Sequence, residues 1–252
     1  MTQYLFISCM NNSGSTLLVR YLRRCANAIC MESEGQVHAS GRMPSVGRLG
    51  VGRIWSEAAA VLEDSANYDW FLVKAAWIRE WSEDPKSMTA ARPVYVEKSP
   101  PDLLRVEMLE REFPPASFLV MVRNPYAVAE GIRRHRGYDI DRCTRHWMYC
   151  SRRQIENIER LERRAWFTYE DLCTDPDAVR DKIVGLVPEL QDLSFHGTLE
   201  AQAARDLPAA QLETDLNARA IDALDPEDVW RISQLLSQEP ELCEFFGYRI
   251  TT

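Results

Sequence analysis

Asn11-Asn12-Ser13-Gly14-Ser15-Thr16 has the composition of a loop that holds an anion. A helix start offers unpartnered backbone N–H groups and a positive dipole end. Gly14 lets the backbone approach the anion closely, and the Ser15 and Thr16 hydroxyls add donors. Arg123-Asn124-Pro125 brings a guanidinium that can grip a phosphate with two parallel hydrogen bonds. Val94-Tyr95-Val96-Glu97-Lys98-Ser99-Pro100 brings a second cation, Lys98. Each stretch also has a purely structural reading: a capped helix start, an arginine on a neighbouring carboxylate, a solvent-exposed strand end. Together they suit a small polyanion with two separated phosphate groups. The Gly-x-x-x-x-Gly-Lys-Ser/Thr spacing of a nucleotide-triphosphatase loop is absent.

These residues need elements to aim them. Residues 4–10 are a short apolar run with aromatic and β-branched members, which predicts a buried first strand. Leu18, Tyr21, Leu22 and Cys25 then fall at helical spacing. Residues 31–51 read as loop and 54–64 as helix, while 70–73 and 94–97 read as strands. Pro100 and Pro101 stop the latter strand, and 103–113 returns to helical spacing. Phe118, Leu119, Val120, Met121 and Val122 form the strongest strand, apolar enough for the middle of a sheet covered on both faces. Pro125 is placed to open a helix. Helices are expected over 141–164, 175–187 and 226–238, with a strand at 165–168. The alternation predicts an α/β fold: one domain over residues 1–252, a central parallel sheet flanked by helices, with the three candidate stretches at strand ends on one edge.

Composition narrows the function. A length of 252 residues with 46% hydrophobic residues supports a substantial core. The net charge of −8 argues against a broad nucleic-acid surface but leaves room for a small anion site. No apolar run nears the ~18 residues of a membrane span. The N-terminus reads as a strand rather than a signal peptide. Seven cysteines, odd in number and without a Cys-x-x-Cys pair, point to reduced thiols in a cytoplasmic protein rather than disulfides or zinc. No spacing of carboxylates or histidines demands a metal.

The loop 11–16, Glu97-Lys98-Ser99-Pro100, Arg123-Asn124-Pro125 and Thr168-Tyr169-Glu170-Asp171-Leu172 occur in the order seen in sulfotransferases that use 3′-phosphoadenosine 5′-phosphosulfate (PAPS). The chain resembles that family over residues 4–176. The resemblance implies a P-loop-like loop, with Ser13, Gly14, Ser15 and Thr16 on the 5′-phosphosulfate and Arg123 on the 3′-phosphate. It implies an adenine contact at Tyr169 and a place near the sulfuryl group for Lys98. PAPS would be the co-substrate, 3′-phosphoadenosine 5′-phosphate (PAP) the product, and no metal is implied. The acceptor would be a hydroxyl on a small molecule, lipid or glycan.

Two positions depart from the family. Asn12 stands where Lys or Arg is usual, so the loop can donate a hydrogen bond there but brings no charge. Lys98 is the candidate replacement. Gly131 stands where the family often has a serine eight residues after the arginine, and Ser13 or the cluster Arg133, Arg134 and Arg136 would compensate. The resemblance also implies a general base, His or Glu in different branches. Glu34 and His38, both in the loop after the first helix, are the candidates. Two other readings compete. A P-loop-like kinase or nucleotide-binding protein would need a lysine inside the loop and an acidic magnesium partner. A non-catalytic member of the fold would explain the missing cation at Asn12.

Overall fold

The computed structural model of the protein describes residues 2–38, 52–58, 62, 65–199 and 216–251. Among them, five strands form one parallel sheet: β1 Gln3–Cys9, β2 Ala28–Cys30, β3 Val94–Glu97, β4 Ala116–Val122 and β5 Arg164–Thr168. Their order is β2-β3-β1-β4-β5, and every pairing is parallel. Phe6 of β1 is level with Glu97 on one side and Phe118 on the other. The carboxyl ends of β3, β1 and β4 therefore lie side by side, and the three candidate stretches leave the sheet at one edge.

Alternation along the strands builds two cores. Leu5, Ile7, Cys9, Leu119 and Met121 pack with Leu18, Tyr21 and Leu22 of the helix Ser15–Leu22. Phe6, Phe118, Val120 and Val122 face the opposite side, with Trp77, Trp81 and Phe113. There the Phe113 ring lies 5.2 Å from Tyr4, 5.4 Å from Phe6 and 5.4 Å from Trp77. Burial on both faces accounts for the nearly unbroken apolar runs. The helix Ile140–Arg160 ties itself to β1 through a buried amide: Gln154 Nε2 donates to the Ser8 carbonyl at 2.8 Å, and Ser8 Oγ donates back to Gln154 Oε1 at 2.7 Å. His146 on the same helix is wholly buried, and burial drives its pKa down to about 3, so it is a neutral core residue.

Several elements differ from the sequence expectation. Residues 70–73 are the first turn of a helix, Trp70–Ser82, not a strand. Trp70, Val73, Trp77 and Trp81 are its buried stripe, Phe71 is 80% exposed, and Asp69 caps its start by accepting from Leu72 N. The composition of Trp70-Phe71-Leu72-Val73 suggests a strand, but the spacing of the tryptophans decides for helix. The helix expected over 103–113 is broken. A 3-10 turn covers Pro100–Leu104 and the helix proper is Val106–Glu112. The break sits at Arg105, whose buried guanidinium pairs with Asp102 at 2.7 Å. Of the helix expected over 54–64, Trp55–Glu57 forms a 3-10 turn, and Leu62 is helical, its N–H donating to the Ala58 carbonyl at 3.2 Å. Strand β2 was not anticipated, because its three residues are too few to show a period. The loop expected over 31–51 holds a helical turn, Gly35–His38, after residues 31–34 without regular structure, and residues 39–51 lie outside the described residues. All seven cysteines are buried and none is in a disulfide. Among the described residues, no helix is long and apolar enough to cross a membrane.

Candidate active site at the carboxyl ends of three strands

β1 delivers the loop 11–16 into a turn that needs special backbone. Asn12 has φ 61° and Gly14 has φ 88°. Asn tolerates the left-handed region because its short carboxamide can bond locally, and Gly14 needs the region for a second reason, close approach. A Cβ at Gly14 would lie 2.4 Å from Tyr169 Cδ2. The Gly14 carbonyl accepts from Leu17 N and Leu18 N, which starts the helix Ser15–Leu22 and leaves its first N–H groups facing outward. A glycine that keeps the loop down on its support, ahead of a helix start, fits a phosphosulfate better than a loop standing clear of the fold.

Side chains fix each turn of this loop. Asn11 Oδ1 accepts from Trp55 Nε1 at 2.8 Å. The Asn12 carbonyl accepts from Arg123 Nη1 at 3.1 Å, and Asn12 Oδ1 accepts from Arg53. Burial pushes the Cys9 thiol, at the end of β1, up to about 11. Ser13 is fully buried.

Arg123 is held on several sides. Its guanidinium lies 4.3 Å above the Tyr169 ring, its Nε donates to Asn217 Oδ1 at 2.8 Å, and its carbonyl accepts from Trp147 Nε1 at 2.8 Å. Glu170 organises the surroundings: it accepts from Asn124 N at 3.0 Å, Tyr248 Oη at 2.8 Å and Asn217 Nδ2. Asn124 then caps the helix Pro125–Arg136 through its side chain. Tyr169, from which an adenine contact was expected, is 3% exposed and wedged between Arg123 and Gly14. In this arrangement it supports those two residues and presents no ring face to the cavity.

A cavity of about 820 Å³ opens over the loop. Asn12, Gly14, Ser15, Thr16, Glu34, Lys98 and Arg123 line it, together with Arg53, Gly131, Arg134 and Arg219. A second, smaller cavity of about 70 Å³ lies beside it, walled by Val19, Cys30, Met31, Ser33 and Val96. Thr16, Glu34 and Lys98 line both. At that junction Lys98 Nζ is 2.5 Å from Glu34 Oε1, with side chains 14% and 30% exposed. Burial works against the Lys98 charge, but Glu34, Cys9 and Glu97 outweigh it and raise the pKa above its ordinary value. Lys98 is therefore a firmly charged cation.

The other candidate base is placed elsewhere. His38 Nδ1 is 2.9 Å from Glu80 Oε2, its Nε2 is 2.6 Å from Ser33 Oγ, and it lines neither cavity. The turn carrying Glu34 is docked on the end of β3. Gly35 N donates to Glu97 Oε1 at 2.9 Å, Ser99 Oγ donates to the same oxygen at 2.6 Å, and Trp77 Nε1 donates to the Gly35 carbonyl at 2.9 Å.

Glu97 carries a pH consequence. Complete burial raises its pKa well above the usual carboxylate value, and the neighbouring Asp102 adds to this. The folded state thus holds a proton that the unfolded chain releases. Its contribution is fully present below the unfolded pKa and is lost as pH rises toward the folded value. Glu97→Gln copies the protonated acid, so it should raise stability at pH 8 by at least about 1 kcal/mol, roughly 2–4 °C in Tm for a chain of this size, with no gain at pH 4. Thermal melts at the two pH values check this. An equal loss at both would mean that Glu97 is ionised in the fold.

Sequence reasoning did not find Arg53, Asn217 or Glu170 as an organiser. Arg53 follows a stretch without clear periodicity, and Asn217 lies far along the chain. Only Glu170, inside the quoted Thr168-Tyr169-Glu170-Asp171-Leu172 run, had a signal.

The comparisons with known proteins agree with this geometry. Residues 4–187 match the sulfotransferase family profile, nearly three quarters of the chain. The protein belongs to the sulfotransferase family, whose members are PAPS-dependent transferases. Its fold is similar to that of the sulfotransferase domain from the curacin biosynthetic pathway, at 19% identity and a TM-score of 0.58, covering 100% of this chain and 99% of that one. The sulfotransferase domain of the Synechococcus PCC 7002 olefin synthase gives 19% and 0.58, with 100% and 96% covered. A sulfotransferase from Alicyclobacillus acidocaldarius gives 15% and 0.53, with 97% and 96% covered. No curated protein matches the chain in sequence.

Proposed function

We propose that the protein transfers the sulfuryl group of PAPS to a hydroxyl of a small-molecule, lipid or glycan acceptor, and that transfer takes place at the junction of the two cavities. The observation that carries this is the Lys98–Glu34 pair at 2.5 Å, on the wall shared by a large polar cavity over the anion loop and a small apolar one. The loop residues Gly14, Ser15 and Thr16 hold the 5′-phosphosulfate on N–H and hydroxyl donors, and buried Ser13 shapes the turn. Arg123 takes the 3′-phosphate, positioned by Tyr169. Glu34 accepts the proton of the acceptor hydroxyl while Lys98 turns to the oxygen that keeps the electron pair as the oxygen–sulfur bond breaks. Before the donor binds, the two side chains neutralise each other. His38 stays with Ser33 and Glu80 and steadies the turn that presents Glu34.

Labelled-sulfate transfer from PAPS to a panel of alcohols, phenols and glycans tests the reading. Calorimetry separates it from nucleotide binding in general: PAP is expected to bind and ATP to bind far more weakly. Stronger ATP binding would sink it.

Arg123→Ala should weaken PAP binding by about 2 kcal/mol, roughly thirtyfold in Kd, the usual value of a charge-assisted contact. The variant's titration with adenosine 5′-phosphate, which lacks the 3′-phosphate, should match wild type. A loss common to both ligands would place Arg123 elsewhere in the site.

A further inference from the structure

We infer that Arg53 supplies the positive charge that the phosphosulfate loop lacks, and that it acts on the 5′-phosphate of PAPS as the sulfuryl group departs. This rests on the reading under Proposed function and adds to it a residue from a different part of the chain.

The loop 11–16 contains no Lys or Arg. Its Asn12 carboxamide is held between two neighbours. Nδ2 faces Gly131, where an added Cβ would come within 2.9 Å, and Oδ1 accepts from Arg53. The glycine at 131 and the asparagine at 12 are thus one packing arrangement, and its outcome is to bring a guanidinium onto the loop. Arg53 lines the large cavity with the loop residues.

Each neighbouring cation has another partner or task. Lys98 is paired with Glu34 and turns to the bridging oxygen, Arg134 is paired with Glu130 at 2.9 Å, and Arg123, stacked on Tyr169 and bonded to Asn217, takes the 3′-phosphate. Arg53 meets a neutral carboxamide at the loop rather than a carboxylate. Burial, Arg136 and Arg134 press against its charge and lower its pKa, Glu34 offsets only part of this, and a bound anion would relieve the rest. A guanidinium has five N–H donors in a planar fork. One can stay on Asn12 Oδ1 while others bond phosphate.

The step balances as follows. The bond between sulfur and the bridging oxygen breaks, and its electron pair remains on the 5′-phosphate. The acceptor oxygen bonds to sulfur and its proton goes to Glu34. Charge grows on the 5′-phosphate only as that bond breaks, so a cation placed there favours the transition state over the bound donor.

The test compares Arg53→Ala, Arg53→Lys and the double variant Arg53→Ala/Asn12→Lys. Affinities for PAPS and for PAP are measured by calorimetry without acceptor. Turnover is measured as labelled-sulfate release to the best acceptor of the panel, or to water where none is used. Arg53→Ala should lower kcat by ~100-fold while affinity for PAPS falls less than ~10-fold, and PAP, whose 5′-phosphate carries the charge released on transfer, should lose more affinity than PAPS. Arg53→Lys should fall between it and wild type. The double variant should recover at least ~10-fold of the lost kcat, because it restores a cation at the loop itself. Turnover within threefold of wild type in Arg53→Ala, a loss of PAPS affinity as large as the loss of kcat, or no recovery in the double variant would overturn the inference. Should Arg53→Ala fail to fold, Arg53→Lys and the double variant decide on the same criteria. A wild-type protein that binds no PAP would instead bring down the sulfotransferase reading, and this inference with it.

Discussion

Gly14→Ala should cost about 3 kcal/mol of stability and more than ~10-fold in PAP affinity. Two effects add. A residue with a Cβ held at φ 88° loses roughly 1–2 kcal/mol to left-handed backbone. The new methyl also meets a wall: Tyr169 Cδ2 at 2.4 Å, Cε2 at 2.8 Å and Met121 Cε at 3.3 Å. Overpacking of that kind costs about 1–3 kcal/mol. Tyr169 cannot swing away, since it is buried under the Arg123 guanidinium. The loop must therefore lift, and its N–H groups leave the phosphosulfate. Gly137→Ala is the control. Gly137 also has a positive φ, 68°, but nothing lies within 4 Å of its added Cβ. It should show the backbone cost alone and leave PAP binding unchanged. Denaturant unfolding and calorimetry on both variants give the comparison, and a Gly14→Ala as mild as the control would refute the close-approach argument.

That example shows what sequence could and could not give. Gly14 is legible as the glycine of an anion loop, since the strand, turn and helix around it have clear periods. The sheet was legible for the same reason: Phe118–Val122, the carboxyl-terminal part of β4, can only be a strand buried on both faces. What supports Gly14 was not legible in that role. Tyr169 belongs to the recognisable run after β5, where the resemblance pointed to adenine, yet its ring packs against a loop more than 150 residues earlier. Long-range packing of this kind leaves no local period. The helix Trp70–Ser82 was misread because four apolar residues in a row satisfy both patterns, and only the later tryptophans separate them. Arg53 has no pattern at all around it, and its place was set by what Asn12 and Gly131 leave open.

Lys98→Ala should reduce kcat by ~10²–10³-fold and affinity for the donor PAPS much less, the signature of an interaction made mainly in the transition state. The 2.5 Å pairing with Glu34 raises an alternative: Lys98 could matter only because it holds Glu34 in place. The double variant behaves alike under both roles, and Lys98→Gln is what separates them. Glu34→Gln removes the proton acceptor and should itself cost ~10²–10⁴ in kcat. If Lys98 and Glu34 serve one transition state, each is of little use without the other, and Lys98→Ala/Glu34→Gln should be no slower than the slower single variant, the non-additivity of groups that act as a unit. If Lys98 only positions Glu34, Lys98→Ala should spare the variant that already lacks the carboxylate, but Lys98→Gln, which can still hydrogen-bond Glu34, should then retain most of the wild-type rate. A cation acting on the leaving oxygen predicts the opposite for Lys98→Gln, a loss close to that of alanine, because a neutral amide cannot balance the charge that appears when the oxygen–sulfur bond breaks. Single-turnover rates at saturating donor distinguish these outcomes, and a fast Lys98→Gln would assign the lysine a positioning role.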